Sequence, residues 1–305
     1  MKIKSSYFPM IIFDIILFLV GSFYLLFDFK YKYIDMIDVN KMYAKICDEE
    51  EYLDKSYCVE YKSNGKVQGT FDGYIIFYYL VNDSVISYLN ISLALIMPII
   101  LLKNICKTLN NGELKYILVR QDYKKFKLNL LKQAFIYSIL IIVPFIFLIL
   151  ECFALATTKF DISLFDPSLA NFPIEYLKIG VSFFAVYLIN IFTMTFIFSE
   201  LSLISLRIVN NYYISIIISY LVYLVLEIIS YLFFGVFIGS NILKLDISSY
   251  FEIMNFMNFA NVPNFSLYIT IRLIILGILL LVFWLSFKNK EKFMMYIEKG
   301  SEKQK

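Results

Sequence analysis

Six stretches of about 20 apolar residues each constrain this chain more than any other feature. They run at about 7–27, 84–102, 134–155, 176–198, 212–238 and 267–287. A helix of that length covers about 30 Å, the thickness of the hydrocarbon core of a bilayer. In lipid a helix also satisfies its backbone N–H and C=O groups within the one segment. The expected fold is therefore an all-α integral membrane protein with six transmembrane helices in a single transmembrane domain, 1–305. Composition agrees: 60% of the residues are hydrophobic and 17% charged, against roughly half and a quarter in soluble domains. The first stretch, from Met10 to Val20 after Lys2 and Lys4, imitates a secretory leader. Asp14 interrupts it and no small-x-small cleavage site follows, so it is read as the first span.

The distribution of Lys and Arg predicts the orientation, because basic flanks stay on the cytoplasmic side. Residues 103–132 carry eight basic residues against Glu113 and Asp122, a net charge of 8 − 2 = +6. The basic tail, 288–305, begins with Lys288, Lys290 and Lys292. The 28–83 segment instead has seven Lys against eleven acidic residues. It is expected outside, as a small folded or amphipathic excursion with a turn at Ser63-Asn64-Gly65-Lys66. Both termini then lie in the cytoplasm. Between spans five and six, Gly239 to Ser266 is aromatic but too interrupted to cross. Re-entrant or interfacial short helices are expected there, with a plain outer loop as the alternative.

Several functions are excluded by what the sequence lacks. There is no His, and with it go imidazole bases, nucleophiles and metal ligands. No Gly-x-x-x-x-Gly-Lys-Ser/Thr loop and no Gly-x-Ser-x-Gly elbow occurs. The chain is thus expected to be no enzyme, to hold no cofactor or metal, and to bind no nucleic acid. Cys47, Cys58, Cys106 and Cys152 lack metal-site spacing, and only Cys47 and Cys58 share one aqueous segment and so are available for a disulfide.

The basic connection between spans two and three contains Asn110-Asn111-Gly112-Glu113, then Leu114, Ile117 and Leu118 on one face, then Arg120, Lys124 and Lys125. This is the pattern of a short amphipathic helix with an acid near its positive end. By itself it also suits a helix resting on anionic headgroups. Gly-x-Leu-x-x-x-Leu-x-Arg, a basic pair and Lys132 leading into the next span resembles the coupling-helix region of ABC transporter permeases of the type 2 exporter class. The stretch from Phe198 to Leu206 and the last span running into Phe287-Lys288-Asn289-Lys290-Glu291-Lys292 are similar to that family too.

The resemblance implies a permease subunit in a bacterial plasma membrane. Its partners would be a cytoplasmic ATPase that binds ATP and Mg, a second permease, identical or homologous, and the lipid itself. Gly112, Glu113, Leu114, Ile117, Leu118, Arg120 and Lys124 would couple to the ATPase. The exported substrate would be a hydrophobic or amphipathic peptide, lipid or drug, an antimicrobial peptide among them. The alternatives are an immunity or sensor protein that binds an external peptide through 28–83, and a proton-driven transporter using Glu227.

Charges inside spans are costly and mark protein-facing or water-filled positions. Glu227 lies deepest, and Arg272 enters span six to a similar depth, so a Glu227–Arg272 pair is expected. Asp14, Glu151, Lys178 and Glu200, near span ends, read as interfacial anchors. Tyr74, Phe77, Tyr78 and Tyr79 read as an aromatic belt.

Overall fold

The computed structural model describes residues 7–47, 77, 84–110, 122–155, 181–209, 211–244, 248–251, 265–291 and 293. Among them the fold is helical, with no strand. The helices are α1 (Phe8–Cys47), α2 (Ser84–Asn110), α3 (Tyr123–Leu140), α4 (Ile142–Leu155), α5 (Val181–Ile208), α6 (Tyr212–Ile228), a π-helix (Ile229–Ile242), α7 (Ser248–Phe251) and α8 (Phe265–Ser286). Five helical stretches are long and apolar enough to cross a membrane: Phe8–Phe27, Tyr123–Leu155, Tyr187–Ile208, Tyr212–Ile242 and Ser266–Ser286. The remaining expected span, 84–102, falls within α2.

Local chemistry explains the breaks. Asp122 caps α3 by accepting from Lys124 N at 3.3 Å, and Asn211 caps α6 by accepting from Ile214 N at 3.2 Å. The boundary between α3 and α4 falls at Ile141, three residues before Pro144. Proline has no N–H for the carbonyl four residues back and crowds it, which breaks the ladder there. After α6 the helix widens, and Leu243 N donates to Ile238 O at 2.9 Å, five residues back. Lys244 then takes a left-handed φ of 57°, and the chain doubles back so that α7 packs against the π-helix and α8. That turned-back α7 occupies the place where short helices were expected between spans five and six.

The helices are longer than the apolar stretches. α1 continues for 40 residues to Cys47, about 60 Å at 1.5 Å per residue, and so enters the 28–83 segment as helix. α2 and α3 likewise extend into 103–132, to Asn110 and from Tyr123.

One helix is central. α5 packs against α2, α3, α4, α6 and α8, and 78% of its membrane-length window is buried, against 22% for α1 and for α8. α1 lies on the flank, where Phe18 meets Phe147 edge-on at 5.8 Å and Ser22 Oγ donates to Glu151 Oε2 at 2.5 Å. Glu151 thus joins α1 to α4. Outward faces are apolar: on α6 and the π-helix Ile217, Leu221, Val225, Ile228 and Leu232 are all exposed. Such an apolar exterior around a polar-containing centre suits a bundle surrounded by lipid and not by water.

Candidate functional site

Among the described residues, half of the buried polar side chains lie on one helix, α5. Asn190, Thr193, Thr195, Ser199, Glu200, Ser202 and Ser205 of α5 are all at most 2% exposed. Most of the hydroxyls satisfy themselves on their own helix: Thr195 on Ile191 O at 2.8 Å, Ser199 on Thr195 O at 2.8 Å, Ser205 on Leu201 O at 2.7 Å. Bonds back to the carbonyl three or four residues earlier let small polar groups lie in an apolar interior and let neighbouring helices approach closely.

Two groups are not accounted for in that way. Neither carboxyl oxygen of Glu200 has a hydrogen-bond partner among the described residues, although the side chain is fully buried. The sequence places Glu200 near a span end as an anchor. The structure carries α5 on to Ile208, so Glu200 lies inside the bundle instead. The other group is the amide of Asn190.

Asn190 ends a directed chain of hydrogen bonds from α8. Arg272 Nη2 donates to Tyr268 Oη at 2.7 Å, and Tyr268 Oη donates to Asn190 Oδ1 at 3.1 Å. The guanidinium also lies 4.6 Å from the Tyr268 ring centroid, a cation–π contact. All three side chains are fully buried. Arginine can only donate, so the phenol proton must point onward to the Asn190 carbonyl oxygen. That fixes the amide with its NH2 on the far side, where Nδ2 has no partner among the described residues. The chain of bonds therefore ends on an amide donor of α5, with the guanidinium at its other end on α8.

The helices also set the depth of Glu227. Phe198 of α5 packs on Tyr223 of α6 with centroids 4.7 Å apart. α5 and α6 are joined by a short turn and run in opposite directions, so Glu227, four residues beyond Tyr223, stands level with Met194. α5 and α8 run in the same direction, since Asn190 meets Tyr268 while Arg207 Nε donates to Ser286 O at 3.2 Å some five turns further on. Arg272, four residues beyond Tyr268, is therefore also level with Met194. The two expected partners thus stand at the height of Met194, which is buried.

Other expected site residues divide as follows. Lys124 is exposed at the start of α3, while Gly112, Glu113, Leu114, Ile117, Leu118 and Arg120 lie outside the described residues. Cys47 ends α1 and Cys58 lies outside the described residues, so the pairing does too. Cys106 and Cys152 are free and buried. Phe77, read as part of an aromatic belt, is instead 1% exposed and packs edge-on against Phe184 and Tyr187 at 5.2 and 5.0 Å. Among the described residues no cluster of His, Cys, Asp and Glu could hold a metal. Comparison with family models, curated proteins and solved structures gives no match.

Proposed function

We propose that this chain is the membrane-spanning subunit of an ATP-driven exporter of the ABC type 2 class, pairing with a second permease and with cytoplasmic ATPase subunits. The observation that carries the reading is the buried polar seam: a central helix with Asn190 and Glu200, joined by Tyr268 and Arg272 of α8. Polar and ionisable groups inside a membrane bundle are expensive and mark the route of a substrate or ion. The chain holds no motif for covalent chemistry or nucleotide binding, so the energy would come from the partner. In the sequence, the segment of coupling-helix pattern, Gly112 to Arg120, follows α2 and precedes α3, and it would receive that energy. Two ATPases closing on ATP would move these segments, and with them α2 and α3, both of which pack on α5. In this reading the seam opens to one face and then the other, and an amphipathic substrate leaves outward.

The test is co-purification of the full chain with a P-loop ATPase subunit, followed by reconstitution. Substituting Leu114 and Leu118 together by Asp should leave the spans folded but abolish coupling of hydrolysis to export. Export at the normal rate by that double variant, or purification with no ATPase at any step, would count decisively against the exporter reading.

A further inference from the structure

At the basic end of the bundle, where α5 and α8 finish, a cavity of about 760 Å³ opens between them, lined by Arg207, Ser286, Lys288, Lys290 and Glu291 among others. Among the described lining residues three side chains are positive and one is negative, 3 − 1 = +2. We propose that this cavity binds the phosphate of an anionic lipid headgroup, with one acyl chain lying along the outer face of α8. The proposal does not depend on the exporter reading.

Three features point to a lipid. Arg207 is held in place: its Nε donates to Ser286 O at 3.2 Å, and its guanidinium lies 5.7 Å from the Phe293 ring. That ring packs on Phe287 at 5.3 Å and on Phe126 at 6.0 Å. A planar fork already oriented by a carbonyl and a ring loses little freedom when it takes an anion. The cavity also falls within the roughly 300–1,000 Å³ of sites for molecules of headgroup size and above, far more room than an inorganic phosphate fills. Finally, Leu285 both lines the cavity and is 69% exposed. It ends an exposed apolar stripe on α8, Ile274, Ile278, Leu281 and Leu285, whose spacing of three and four residues keeps it on one helix face. A basic hollow at the end of an apolar track matches a charged headgroup above its acyl chain, and basic hollows between cytoplasmic helix ends favour acidic lipids. Glu291 opposes the anion and sets which headgroups the hollow tolerates.

A reporter precedes the cavity-lining Leu285 in the chain. Trp284 is the single tryptophan of the chain, and Lys127 Nζ lies 4.1 Å from its ring centroid. The full chain in neutral detergent is titrated with phosphatidylglycerol, phosphatidylcholine or inorganic phosphate, and Trp284 emission is followed together with lipid retained in native mass spectrometry. Phosphatidylglycerol should bind saturably, phosphatidylcholine at least tenfold more weakly, and inorganic phosphate should not compete. Lys288→Gln/Lys290→Gln, which alters only exposed side chains, should weaken phosphatidylglycerol at least tenfold, and Arg207→Gln should weaken it further. Lys244→Gln, an exposed residue beyond the π-helix, should change nothing. Equal retention of the two lipids, unchanged binding in Lys288→Gln/Lys290→Gln, or saturation by inorganic phosphate without lipid competition would each overturn the assignment.

Discussion

Arg272 and Tyr268 stand one helical turn apart on α8, and the guanidinium of the first both donates to the hydroxyl of the second at 2.7 Å and covers its ring at 4.6 Å. The phenol is thereby committed as a donor to Asn190 on the neighbouring helix. Two helices are locked in register by one hydroxyl. Tyr268→Phe keeps the ring and removes the relay, leaving the Asn190 carbonyl oxygen without its donor in a buried site. Hydrogen bonds within membrane bundles average about 0.6 kcal/mol, with a maximum near 1.7. The charged donor upstream favours the higher figure. A double-mutant cycle of Tyr268→Phe with Asn190→Ala, read by unfolding in mixed micelles, should give a coupling of about 1–1.7 kcal/mol. Additive single effects would show that the two helices are not joined through this bond.

Glu200 makes a different demand. A buried polar group without a hydrogen bond costs about 1–3 kcal/mol. Glu200→Leu should therefore raise the stability of the chain by about 1–3 kcal/mol. If the seam is the transport route, the same change should lower export severalfold. Stability and export falling together in Glu200→Leu would mean that Glu200 holds the fold.

Glu227 on α6 and Arg272 on α8 share the height of Met194. Glu227→Arg and Arg272→Glu are each expected to reduce folded yield strongly, because each leaves two like charges at that height. The double exchange should recover at least half of the folded yield in size-exclusion chromatography. No recovery in the double variant would place the two charges apart.

Gly235 governs the turned-back segment. A methyl group there would stand 3.0 Å from Ser248 Cα and 3.2 Å from Ser248 O, and backbone yields less readily than a side chain. Gly235→Ala should push α7 from the π-helix and stretch the 2.6 Å bond from Ser230 Oγ to Phe251 O. Overpacking of this kind costs about 1–3 kcal/mol. Faster hydrogen exchange confined to 248–251 and the neighbouring π-helix is the expected signature. Gly21→Ala makes the comparison: its new methyl would meet a side chain and not backbone, Leu148 Cδ1 at 2.8 Å and Cδ2 at 2.9 Å, and should leave exchange at 248–251 unchanged.

Hydropathy made the helices legible in the sequence, because whether about 20 consecutive residues favour lipid is decided locally. The cap at Asn211 and the break before Pro144 are local as well. By contrast, no local signal says which span lies in the middle. α5 reads as one apolar stretch among six, yet it is the helix that most of the others touch, and its serines are tolerated because they bond to their own backbone. Glu200 lay outside the expected span because its own charge, with Ser199, Ser202 and Ser205 beside it, lowers the local hydropathy. Asn190 and Tyr268 carried no motif at all. They lie 78 positions apart, and only packing brings them together. Residue type and spacing were enough to specify apolar, membrane-length helical segments and a basic end. The tertiary structure alone decided that Arg272 reaches Asn190 through Tyr268, that Glu200 is enclosed, and that Arg207 meets Lys288 and Lys290 around one cavity. Contacts between distant segments depend on which helix faces meet, and no short window of sequence contains that information.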